Sequence, residues 1–218
     1  MRSIFRHQIT GRSPSEQQRC CSKGLNRNRA LGSTKRFALV QKGTLSLDGF
    51  MNDRHGDVSR LYPDLQALRS TEMLQEEIRT TGAVVMGRRA YDMAEGDLTD
   101  YEFQVPIFVL THHIPAKVAK GENDQLTVTF VTDGIQSAIE KAQAAAGDKQ
   151  VMVIGGANTA QQCLRAGLVD EIHMGIVPVL FGEGLRFFEP LVNEQMELER
   201  MRVFASPTRT DLWFRVVK

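Results

Sequence analysis

The chain has 218 residues, 42% of them hydrophobic and 24% charged, with a formal net charge of +1; this fits one globular domain with a single sizeable core. No apolar stretch approaches the ~20 residues of a membrane helix, so a membrane partner is not expected. The small net charge hides an asymmetry: residues 1–36 carry nine Lys or Arg against Glu16 alone, leaving 18 basic and 25 acidic residues in the remainder. A body this acidic is ill suited to nucleic acid, whose binding rests on neutralising phosphates.

Residues 1–34 are rich in Arg, Ser, Gln and Asn without a hydrophobic period, and are expected to be disordered because they cannot bury enough apolar surface. Their Arg-rich, acid-poor composition is shared with mitochondrial transit peptides; the plainer reading is a dispensable tail or a start codon placed too early. Cys20 and Cys21 are adjacent in this tail and Cys163 stands alone in a predicted helix. With no Cys-x-x-Cys and no metal spacing, a reducing cytoplasm is the simplest setting.

Order is expected from Lys35. Phe37–Val40 and Thr44–Leu47 read as a first strand, ended by Asp48-Gly49. From Leu61 to Ile78, Leu61, Leu65, Leu68, Leu74 and Ile78 fall mostly at spacings of three and four, which predicts one amphipathic helix stopped by Gly82. Ala83–Met86 is the next strand, followed by Gly87-Arg88-Arg89 and a short helix around Tyr91. Val105–Leu110 and Leu126–Val131 are further strands. Asp133-Gly134 is placed to cap a helix carrying Ile135, Ala138, Ile139 and Ala142 on one stripe. Strand Val151–Ile154, helix Asn158–Ala166 with Gly167 as its stop, and strand Glu171–Val179 follow. Strands alternating with helices predict a mostly parallel α/β sheet with right-handed crossovers. Leu198–Ala205 and Leu212–Val217, around Ser206-Pro207, read as an antiparallel hairpin at one edge.

Two strand–turn–helix junctions carry the chemistry. In Ile154-Gly155-Gly156-Ala157-Asn158-Thr159, the glycines would let the backbone approach a pyrophosphate, and Asn158 or Thr159 could cap the helix or bond a phosphate oxygen. A plain tight turn fits the same spacing, and the segment is not the Gly-x-Gly-x-x-Gly fingerprint. Gly87-Arg88-Arg89 would suit a 2′-phosphate, since each guanidinium offers a planar fork of donors; a pair of surface arginines is the alternative. Asp48-Gly49-Phe50 could hold a substrate ring and position a proton, or be only a turn. Thr111-His112-His113 offers a proton donor or phosphate contact, or surface histidines. The five histidines show no metal-ligand spacing.

These pieces together resemble the dihydrofolate reductase-like superfamily, and within it the C-terminal reductase domain of the bifunctional riboflavin-biosynthesis deaminase–reductase. Ser46–Phe50, Val85–Arg89, Phe108–His112, Val153–Ala157, Gly167–Glu171 and Val177–Gly182 carry the likeness in order over residues 35–218. The resemblance implies a mixed, mainly parallel sheet flanked by helices, NADPH across the strand ends, and a homodimer. It implies Gly87, Arg88 and Arg89 at the adenosine phosphate or pyrophosphate, Thr111 and His112 on the adenosine side, and Gly155, Gly156, Ala157, Asn158 and Thr159 around the pyrophosphate. Ser46, Asp48, Gly49 and Phe50 would meet substrate, with Asp48 orienting it or supplying a proton. Ile154 stands in the substrate wall where riboflavin-pathway reductases commonly carry an acid. Ala90 replaces the Thr usual in dihydrofolate reductases, and the first long helix offers Asp64, Glu72, Glu76 and Glu77 where those enzymes place a proton-relaying carboxylate. Glu183, between two glycines, would line the substrate mouth or belong to a bare connection. The expected activity is NADPH-dependent reduction of a small nitrogen heterocycle, like that of 5-amino-6-(5-phosphoribosylamino)uracil reductase; dihydrofolate reduction and non-catalytic NADPH binding are the alternatives.

Overall fold

The apolar runs assemble into one eight-stranded sheet. The structure, a computed structural model, describes residues 38–63, 65–116, 119–188 and 195–218; the basic segment 1–34 and its two cysteines lie outside them. Strands β1 (Leu39–Ser46), β2 (Thr81–Gly87), β3 (Ile107–Leu110), β4 (Val128–Val131), β5 (Gln150–Ile154) and β6 (Glu171–Val177) run parallel; β7 (Leu198–Ala205) and β8 (Thr210–Val216) are antiparallel. The order is β4-β3-β2-β5-β1-β6-β8-β7, so the hairpin forms one edge. β2 and β5 are buried along nearly their whole length, as strands covered on both faces must be.

One face carries Leu39, Val85 and Val153 against Ile139 of α4 (Ile135–Ala146) and Leu164 of α5 (Ala157–Arg165). The other carries Val84, Met86 and Met152 against Leu74 and Tyr91; Tyr91 lies in α3 (Arg88–Met93).

The single helix expected over 61–78 is broken. A 3-10 turn at Ser59–Leu61 precedes α1 (Leu65–Arg69) and α2 (Glu72–Thr80). The break follows from local side chain–backbone bonds that compete with a continuous helix. Thr71 is extended, caps α2 by accepting from the Leu74 N–H at 3.3 Å, and donates its hydroxyl to Leu68 O at 2.7 Å. Ser70 donates to Ala67 O at 3.0 Å. Gly82 is not the stop; it lies within β2, where a Cβ would come 2.4 Å from Ala146 O at the end of α4. Asp133 does not cap α4. Gly134 is the N-cap, without a side-chain bond, while the Asp133 carboxylate accepts from Ser137 at 2.8 Å and Lys141 at 3.1 Å. Cys163 is buried in α5, and burial pushes its thiol up to about 12.

Candidate functional site

All six parallel strands end at one edge of the sheet, so the turns after β1, β2, β3 and β5 gather there; ligands of open α/β sheets bind in that position. Met86 and Ile154 pair in register, which sets the two glycine turns side by side. They interlock. A Cβ on Gly87 would stand 2.6 Å from Thr159 Oγ1, and one on Gly155 would stand 2.6 Å from Ala90 Cβ. Gly155 and Gly156 both have positive φ, +75° and +79°, a backbone that other residues adopt only with strain. Ala157 and Thr159 are buried beneath the turn. Asn158 is exposed and accepts from Gln162 Nε2 at 2.5 Å. The sequence motif thus divides into an outward backbone of glycines and inward packing residues.

The Arg pair divides too. Arg88 donates through Nε to Asp92 Oδ1 at 2.7 Å and through Nη1 to His113 O at 3.0 Å, tying α3 to the turn after β3. Thr111 is buried and donates to the same carbonyl at 2.8 Å, while His112 and His113 are exposed. Arg89 is exposed and has no ion-pair partner among the described residues.

After β1, Asp48 receives three donors: Ser46 Oγ at 2.6 Å, Gly182 N–H at 2.7 Å and Phe181 N–H at 3.2 Å. Desolvation opposes ionisation, but the Ser46 hydroxyl and the Gly182 and Phe181 amides outweigh it and hold the carboxyl below its ordinary range. Ser46 Oγ also accepts from the Phe50 N–H at 2.9 Å, and the Arg186 guanidinium lies 4.4 Å from the Phe50 ring centroid. Met51 N–H donates to Leu185 O at 2.8 Å, and Leu185 N–H to Asn52 Oδ1 at 3.0 Å. The segment after β1 is thereby pinned to the glycine-rich 181–187 turn, on which Glu183 is exposed. Gly49, at φ +87°, makes the reversal.

Sequence reading offered Glu77 as one of four helix carboxylates but missed the polar network it joins on the face of the sheet covered by α2. Lys42 on β1 lies in register between Ile154 and His173 and pairs with Glu77 of α2. His173 Nε2 stands 3.3 Å from Glu171 and Nδ1 3.4 Å from Glu77 Oε1. Burial would raise the Glu77 carboxyl, but His173 and Lys42 hold it below its ordinary range. Burial would lower His173, and Glu171 and Glu77 instead raise it. Beside this network Arg209, buried, pairs with Asp211 at 2.8 Å and reaches Thr44 Oγ1 at 3.5 Å; desolvation keeps Asp211 raised despite that arginine. The available signal was Glu77, which sits with Met73 and Leu74 on the buried side of α2, together with a lysine inside an otherwise buried strand.

Residues 38–210 match the model of the RibD C-terminal domain. The chain belongs to this family. Among curated relatives, the uncharacterized Bacillus subtilis (strain 168) protein YyaP is 24% identical over 178 residues, covering 79% of this chain and 92% of YyaP. Among solved structures, the Thermotoga maritima diaminohydroxyphosphoribosylaminopyrimidine deaminase/5-amino-6-(5-phosphoribosylamino)uracil reductase aligns at TM-score 0.61 and 16% identity, over 84% of this chain and 57% of that one. Dihydrofolate reductase from Enterococcus faecalis, complexed with NADP(H), aligns at TM-score 0.56 and 13% identity, over 83% and 97% of the two chains. The chain thus shares its overall fold with dihydrofolate reductase. No helix among the described residues is long and apolar enough to cross a membrane.

Proposed function

We propose that this chain is an NADPH-dependent reductase of a small nitrogen heterocycle, acting as a 5-amino-6-(5-phosphoribosylamino)uracil reductase does. The observation that carries the reading is the interlocked pair of glycine turns at the carboxyl edge of β2 and β5. Gly156 supports it further: its positive φ requires glycine, and a Cβ there would meet nothing closer than Thr159 Oγ1 at 3.5 Å, so the turn leaves room for a ligand's phosphates. Membership of the RibD C-terminal family and the likeness to an NADP(H)-bound reductase agree with it.

The bound nicotinamide would supply the hydride; the protein's part is to place the reactants and set the electrostatics around them. In this reading Gly155 and Gly156 receive the pyrophosphate on backbone N–H groups at the start of α5. Arg89 meets the 2′-phosphate, and Arg88 and Thr111 hold the turn beside it. Asp48, ionised and already accepting three hydrogen bonds, positions the Phe181–Gly182 turn and the Phe50 ring over the substrate instead of donating a proton. The homodimer and the cytoplasmic setting belong to the same proposal, and light scattering tests the first. The decisive assay is nicotinamide oxidation against a panel of pyrimidine and pteridine substrates. Turnover of the phosphoribosylaminouracil with NADPH supports the reading; NADPH binding without consumption of any panel member would contradict it.

A further inference from the structure

A cleft of about 230 Å³ lies on the face of the sheet covered by α2. It opens between α2, the first residues of β5 and β6, and the β7–β8 hairpin. The cleft is distinct from the proposed nucleotide crevice but not far from it: Glu171 is level with Met152 and His173 with Ile154, each across β1. Met73, Met201 and Trp213 form apolar walls, and Glu76, Glu171 and His173 a polar floor. His173 is 8% exposed, and its Nδ1 is buried beside Glu77 Oε1 at 3.4 Å.

The cleft already holds a cation on a tether. Arg202 reaches in from β7 with its guanidinium carbon 5.1 Å from the Trp213 ring centroid and Nη1 2.9 Å from Glu76 Oε2. Its side chain is 49% exposed, and ion pairs so exposed are weak and readily displaced. A guanidinium between an indole face and a carboxylate shows what this surface recognises: positive charge attracted by the ring and by the acid. Glu77 in the lining is already paired with Lys42 and His173, so Glu76 carries the charge selection, while the methionines offer adaptable contact to a flat apolar group.

We propose that this cleft binds a small organic cation with a flat apolar body, of the aromatic amine or amidine class, which replaces the Arg202 guanidinium over Trp213 and against Glu76. The site is independent of the reductase reading and makes no use of the glycine turns.

Trp213 is the only tryptophan of the chain, so its emission reports occupancy directly. The full chain is titrated with benzamidine, and in parallel with benzoate as a probe of similar size and opposite charge. A saturable change with benzamidine and none with benzoate is expected. Removing the tethered competitor in Arg202→Ala should tighten benzamidine binding by about threefold. Adding Glu76→Gln to that variant should weaken it by about fivefold. Equal responses to the two probes, a non-saturating response, or an unchanged affinity in Arg202→Ala would overturn the proposal. The comparison of probes on the unmodified chain stands without either variant, and nucleotide binding is measured separately.

Discussion

Gly155→Ala separates two reasons for a glycine at the proposed cofactor turn: access for a phosphate, and the fold's own packing. At φ +75° an L-residue costs ~1–2 kcal/mol. The added methyl would lie 2.6 Å from Ala90 Cβ, far inside carbon–carbon contact, and overpacking of this kind costs ~1–3 kcal/mol. The stiffer unfolded chain returns ~0.4–1 kcal/mol, leaving a net loss of about 2–4 kcal/mol. For a domain of this size each kcal/mol moves the melting temperature by ~2–4 °C, so a drop of about 4–16 °C is expected without any nucleotide. Ala90→Gly in the same chain relieves the contact but not the φ strain, and itself costs ~0.5–1 kcal/mol in the helix. The double variant should therefore melt above Gly155→Ala and below the parent, with a coupling of ~1–2 kcal/mol. Calorimetry on the four proteins measures this. A Gly155→Ala protein that melts with the parent, or a double variant with no recovery, would refute the interlocked-turn geometry.

Other outcomes follow from the same contacts. Arg89→Ala should weaken NADPH about tenfold or more, as loss of a charged hydrogen bond would, and leave NADH binding and the melting temperature nearly unchanged. Arg88→Ala should also lower the melting temperature, because Arg88 ties α3 to the His113 carbonyl; equal effects of both variants on the two nucleotides would remove the 2′-phosphate assignment. Asp48→Asn leaves one acceptor oxygen for three donors, so the 181–187 turn should loosen and tryptic cleavage after Arg186 accelerate; an unchanged cleavage rate would show that the carboxylate does not hold the turn. His173 is raised above its ordinary 6.5, so its contribution to stability is complete below that value and is lost as pH rises through the higher folded value. Glu77 is lowered from 4.5, so its contribution is present above that value and is lost as pH falls through the lower one. Melting curves should accordingly decline in both directions, and His173→Gln should flatten the alkaline limb and weaken the acid one, because His173 also holds Glu77 down. Glu77→Gln should flatten the acid limb and cost about 3 kcal/mol, the low end for breaking a buried pair, since Lys42 is partly exposed.

Much of the fold was legible in local pattern. The runs Ala83–Met86 and Val151–Ile154 are apolar and end in glycine, and each became a buried parallel strand entering a helix. The break at Ser70–Thr71 was not, because apolar spacings of three and four continue through Leu68 and Leu74 while two hydroxyls end one helix and start the next. Gly82 misled for a related reason: its meaning is set by Ala146, a contact on which nearby sequence is silent. At the candidate site the glycine turns and Asp48 could be named from sequence, but the division of labour within them could not. Whether Arg88 or Arg89 is free depends on Asp92 and a carbonyl 25 residues away. Of the Lys42–Glu77–His173 network only Glu77 could be named from sequence, since its members come from β1, α2 and β6 and meet only in the folded sheet.

The most direct test of the central claim is equilibrium binding of NADPH and NADH, followed by the nucleotide's own emission because Trp213, on β8, is three strands away from β5 and its glycine turn. The account predicts saturable binding of both, NADPH tighter by about tenfold, or ~1.4 kcal/mol, and ~2.7 kcal/mol of stabilisation at a hundredfold excess over Kd. A chain that melts cooperatively and binds neither nucleotide would contradict it.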